Sequence, residues 1–134
     1  MVVIALAAGA EGIVWYDFKD DGLDVAYNEH NFGLVHHEEY LLAPKPAYVA
    51  YAHLIAALRG RELLRQEVTP DGLWKTTFEG KGSSLDILFT AEPDQVLTVR
   101  VPPGARVEDM FGQPVPAGAE IDVTSDPIFV IAEQ

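Results

Sequence analysis

Few side chains in this 134-residue sequence offer chemistry, and the best placed is Trp15. It lies in the run Gly12-Ile13-Val14-Trp15-Tyr16-Asp17-Phe18, just before the turn Lys19-Asp20-Asp21-Gly22. An indole presents a flat apolar face on which a sugar ring can lie, with an N–H for a hydroxyl. The same residue suits the core of a buried strand, and both readings stand at this point. Asn31 and Phe32 follow in a long loop, where they either line the same mouth or pack the loop. Asp20 and Asp21 read as solvated turn acids. Glu29 reads as a surface charge.

Other chemistries lack their residues. There is no cysteine, so disulfides, thiolate metal sites and Cys nucleophiles are excluded. His36-His37-Glu38-Glu39 are adjacent, and neighbouring residues rarely point at one ion, so no metal is expected. His53 reads as a packed or flanking helix residue. No phosphate-binding loop, dinucleotide fingerprint or nucleophile elbow occurs, and no cofactor is expected. The formal net charge is −12, and the acidity is spread along the chain: residues 1–60 carry 3 basic and 8 acidic side chains, residues 61–134 carry 6 and 13. Phosphate neutralisation needs a Lys/Arg face, so nucleic acid and anionic membrane surfaces are poor partners.

These residues need elements to hold them. The apolar start, Val2 to Ala8, is too short to span a membrane and lacks the basic lead-in of a signal peptide. It reads as the last turns of a buried helix ending near Gly9 or Gly12. Residues 12–18 are β-branched and aromatic on consecutive positions, as in a strand buried on both faces. A helix is expected from Pro46 to Arg59, with Pro46 at its first position, Gly60 at its end, and Tyr48, Tyr51, Ala52, Ile55 and Leu58 as its apolar face. After Gly60 seven short strands follow at about ten-residue spacing, the pattern of an antiparallel β-sandwich. They are Leu63–Val68, Leu73–Phe78, Leu85–Thr90, Val96–Val101, Ala105–Glu108, Ile121–Thr124 and Ile128–Ala132. Trp74 is expected to pack against the core. The domain boundary is expected near Gly60–Glu67, giving units 1–60 and 61–134. A single parallel-type strand has no crossover partner within residues 1–60, so either residues 12–18 join the sandwich as an edge or their neighbours lie on another stretch of polypeptide.

Three segments taken together resemble a known family. They are Trp15-Tyr16-Asp17-Phe18-Lys19-Asp20-Asp21-Gly22, Asn28-Glu29-His30-Asn31-Phe32-Gly33-Leu34-Val35, and Pro44-Lys45-Pro46-Ala47-Tyr48. In this order they resemble the end of the catalytic domain of clan A glycoside hydrolases, especially the xylosidase and endoglucanase-like families. The later Val107-Glu108-Asp109-Met110-Phe111-Gly112 and Asp126-Pro127-Ile128-Phe129-Val130 resemble the small β-sandwich that often follows. The resemblance implies an α+β chain: the terminal βα unit of a (β/α)8 barrel, residues 1–60, then an accessory antiparallel β-sandwich, residues 61–134. It implies that residues 12–18 are barrel strand eight, that residues 46–59 are helix eight, and that Trp15 floors the subsite of the reacting sugar. It further implies a cis peptide after Trp15.

Retaining glycosidases work with two carboxyl groups about 5–5.5 Å apart. By the resemblance both lie on strands upstream of Met1, so this chain carries neither and is expected to be inactive alone. The expected partners are a carbohydrate and a chain or segment carrying the rest of the barrel. Two alternatives remain: a non-catalytic carbohydrate-binding or scaffold sandwich, and a subunit that completes a barrel with another chain.

Overall fold

The computed structural model describes residues 2–133 and mixes helix with antiparallel sheet. Helix α1 spans Val2–Ala7 and α2 spans Pro46–Leu58. Seven strands follow: β1 Glu62–Val68, β2 Leu73–Gly80, β3 Ser83–Thr90, β4 Leu97–Arg100, β5 Arg106–Glu108, β6 Glu120–Val123 and β7 Ile128–Glu133. All seven lie where the turn residues and apolar runs put them, with ends shifted by a residue or two. One sheet has the order β1-β2-β3-β7-β5, and β4 pairs with β6 in a second, small sheet; every pairing is antiparallel.

The period-two alternation of the strands builds two cores. On one face of the large sheet Leu73, Leu88, Val107 and Val130 meet Val101, Ile121 and Val123 from the region of the small sheet. On the other face Phe78, Leu85, Ile87 and Phe129 form a bed for Val3 of α1. Leu54, Ala57 and Leu58 of α2 pack on the same bed. Neighbouring residues of β3 and β7 therefore serve opposite cores, as the pleat requires.

The helix packs with a face that overlaps the expected one at Leu58, which lies on the bed, while Tyr51 is half-buried. Tyr48 and Ile55 are exposed, as is Ala52, while Leu54 and Ala57 lie against the sheet. Apart from His53, no polar side chain between Pro46 and Leu58 can mark a solvent side except the tyrosine hydroxyls. A helix apolar all round belongs in a buried setting, so its periodicity cannot choose one face. Pro46 at the first turn and Gly60, in the left-handed region at φ 71°, bound the helix as the sequence indicates.

Residues 12–18 form no strand. Val14 is 95% exposed, Tyr16 69% and Phe18 60%. The backbone has hydrogen-bonded neighbours on one side only, from Asp17 onward, where residues 17–20 run alongside residues 32–35. The sequence type is that of a doubly covered strand, and among the described residues no strand covers it.

Candidate functional site

Trp15 stands where this extended segment meets the mouth of the loop. Its ring is 45% exposed and leans on Tyr51 of α2, with centroids 6.2 Å apart. Beneath it lies an apolar cavity of about 240 Å³ whose walls include Leu54, Ile87, Met110 and Phe129. The indole N–H is already used: Nε1 donates to the Phe32 carbonyl at 3.3 Å. The expected N–H for a sugar hydroxyl is therefore not free, and Trp15 offers a ligand its ring face. The cis peptide lies one residue further on than expected, between Tyr16 and Asp17.

Phe32 is 45% exposed beside Trp15, joined to it through its own carbonyl. Asn31 is exposed, but its amide nitrogen donates to the carbonyls of Asp24 at 3.1 Å and Tyr27 at 2.9 Å. It staples the loop, leaving its Oδ1 for any other contact. The three sequence-derived residues thus share one corner of the molecule. Two are coupled directly and the third is engaged with its own loop.

The sequence did not reveal what holds this corner. Asp20, expected to be a solvated turn acid, is buried. Its Oδ1 accepts from Lys45 Nζ at 2.5 Å and from the Gly33 N–H at 3.0 Å, and His36 Nδ1 lies 3.6 Å from Oδ2. Lys45 Nζ also donates to the Asn31 carbonyl at 3.0 Å, and its backbone N–H donates to Leu34. Asp21, by contrast, is exposed and accepts from the Tyr16 hydroxyl. The difference lies in what comes 25 residues later, because Lys45 at the entrance of α2 reaches back to Asp20 and not to Asp21. Lys45 between two prolines and a glycine directly after Phe32 were the available signals.

Burial pushes the Asp20 carboxyl up, but the Lys45 hydrogen bond, the Gly33 amide and the charges of Lys45 and His36 outweigh it. The net result lies below the ordinary 3.8. A carboxyl lowered in the folded state contributes stability fully above its unfolded value, and loses it as pH falls through the folded one. The loop is therefore expected to hold above pH 3.8 and to open only below it. The Gly33 amide resonance, followed in an acid titration, checks this: movement centred above 3.8 would contradict it.

The other candidates have structural partners. His37 Nδ1 accepts from the Glu39 N–H at the start of a short 3-10 turn. Glu38 pairs with Lys19 at 2.6 Å on the surface, where such pairs contribute little. His53 packs edge-on against Phe129 at 4.6 Å, with Nε2 3.6 Å from Glu108. Trp74 stacks on Phe89 at 5.8 Å, and the two are half-buried on the sheet face that carries the helices. Among the described residues no three His, Asp or Glu side chains gather as metal ligands.

The fold has a counterpart among solved structures. It is similar to a GH30 endoxylanase from Clostridium papyrosolvens C71, with a TM-score of 0.50 at 11% sequence identity. The match covers 77% of this chain and 31% of that one, so the chain spans about a third of the enzyme's length. At this identity the likeness is one of fold. No family model matches the sequence, and no curated protein does.

Proposed function

We propose that this chain is the C-terminal part of a retaining β-glycoside hydrolase. Residues 1–60 would be the last βα unit of a (β/α)8 barrel and residues 61–134 an accessory β-sandwich. The fold likeness to part of a GH30 endoxylanase supports a glycoside hydrolase origin. The observation that carries the reading is the extended segment 13–18, apolar on consecutive positions yet with Val14, Tyr16 and Phe18 exposed. Val25, Leu41 and, on α2, Tyr48, Val49 and Ile55 are exposed as well. Exposed apolar surface of this kind marks an interaction surface where it is contiguous. Seven further βα units would cover it and give residues 13–16 parallel neighbours. Trp15 would then stand at the C-terminal end of a barrel strand, where barrel enzymes build their sites.

In this reading the parent cleaves a β-glycosidic bond by double displacement, through an oxocarbenium-like transition state between two carboxylates. Both carboxylates come from the other units. This chain supplies a hydrophobic floor, Trp15, on which a sugar ring stacks, and a sandwich that seats the last helix. The purified chain is expected to release no aryl alcohol from aryl β-xylosides or β-glucosides above the buffer rate. Turnover at enzyme-like rates would sink the proposal. In the complete hydrolase, Trp15→Ala is expected to lower kcat/KM by about 30-fold, the effect of losing an aromatic anchor worth about 2 kcal/mol.

A second reading, a sugar-binding sandwich, draws on the stacked, half-buried pair Trp74 and Phe89. Saturable binding of xylo- or cello-oligosaccharides to the 134-residue chain, abolished by Trp74→Ala and untouched by Trp15→Ala, would favour it.

A further inference from the structure

The Phe32–Gly33 peptide is gripped from both sides. Its N–H, on Gly33, donates to Asp20 Oδ1 at 3.0 Å. Its carbonyl, on Phe32, accepts from Trp15 Nε1 at 3.3 Å and from the Asp17 N–H at 3.4 Å. A trans peptide is planar, with N–H and C=O pointing in opposite directions. Whatever fixes the N–H therefore also aims the carbonyl. We infer that Asp20 is a positioning residue, whose buried carboxylate orients the Phe32–Gly33 peptide and through it the indole of Trp15.

Three observations carry this. The Asp20 side chain is 6% exposed and belongs to neither core cluster. A buried ion pair is weak support for stability, since an apolar pair of similar shape often serves as well. Its yield is directional, because Asp20 and Lys45 pin particular groups of the loop: the Gly33 N–H and the Asn31 carbonyl. Thirdly, the approach is so close that a Cβ on Gly33 would sit 2.2 Å from the Asp20 backbone nitrogen. The peptide cannot slide away from its anchor without opening the whole turn. An N–H bonded to an anion also polarises its peptide and makes the carbonyl a better acceptor.

The inference rests on the proposed function only for what the ring does, not for where the ring is held. Its test therefore uses no sugar. The chain has two tryptophans, and Trp74→Phe leaves Trp15 as the sole reporter. In that background, Asp20→Leu is expected to shift Trp15 emission to the red and to raise its acrylamide quenching about twofold. Far-UV circular dichroism should stay unchanged. Lys45→Arg, which keeps the cation, is expected to preserve the parent signature.

The decisive variant is Asp20→Leu with Lys45→Met, which replaces the ion pair by an apolar pair of similar shape. Residues 17–45, which Asp20→Leu alone is expected to open to protease, should regain their resistance while the Trp15 signature does not return, because the Gly33 N–H still lacks its acceptor. If the double variant restores both, Asp20 is only a staple and the inference falls. It falls equally if Asp20→Leu alone leaves the emission and quenching of Trp15 unchanged. Failure of the hydrolase reading would show instead as wild-type kcat/KM in Trp15→Ala, with the ring signatures as stated.

Discussion

Gly33→Ala is expected to dismantle the turn over residues 17–35 while the two antiparallel sheets stay folded. The added methyl would lie 2.2 Å from the Asp20 nitrogen, 2.4 Å from the Lys19 carbonyl carbon and 2.7 Å from the Val35 oxygen. All three are backbone atoms, so no side chain can swing aside. Overpacking of this kind costs about 1–3 kcal/mol. The strand-like contact between residues 17–20 and 32–35 is the part that can yield. Cleavage by a protease of the opened form follows its population, so a cost of about 2 kcal/mol should speed nicking in this region about 30-fold. Gly118→Ala is the control, since nothing lies within 4 Å of its added Cβ. An unchanged nicking rate in Gly33→Ala would mean that the two segments are not pressed together as described.

Leu85→Ala is expected to give the largest loss of global stability. Leu85 is fully buried in β3, on the bed that seats Val3 of α1 and Leu54 and Ala57 of α2. Leu→Ala at such sites costs about 2–5 kcal/mol, through lost transfer energy and the cavity left behind. Domains of this size are stable by only about 5–15 kcal/mol, so up to half or more would be lost. The urea midpoint should fall with the slope unchanged, and the helical signal should melt with or before the sheet. A midpoint within experimental error of the parent would contradict the packing of the helices on this face.

The two variants separate what was legible in the sequence from what was not. The strands could be read because each needs only local signals: alternation such as Leu97-Thr98-Val99-Arg100, and turns such as Pro70-Asp71-Gly72. Helix α2 announced its ends through Pro46 and Gly60 for the same reason. The face by which it packs was legible only at Leu58, because Tyr48 and Ile55 are large and largely apolar, as Leu54 is, and spacing could not choose between them. Residues 12–18 read as a strand because composition reports what a segment is suited to, and not whether partners are present. Asp20 was misread because a turn acid is ordinarily solvated, and nothing local to Lys19-Asp20-Asp21-Gly22 points to a lysine 25 positions on. Trp15, Asn31 and Phe32 were singled out by residue type, loop position and the family resemblance. The use of the indole N–H and of the Asn31 amide within the loop depends on tertiary geometry alone.

The place of β7 has a consequence for the order in which the molecule assembles. It is the last strand along the sequence, yet it lies inside the large sheet, between β3 and β5. Phe129, which completes the bed under α2, arrives with it. A ribosome delivers about 5–20 residues per second, so α2 emerges several seconds before its seat is complete. During that interval the apolar helix and the unpaired edge of β3 are both open to chaperones and to other nascent chains. Docking of the helices is thus timed by the emergence of residues 128–133. A ribosome stalled before that point would hold a helix on an unfinished seat.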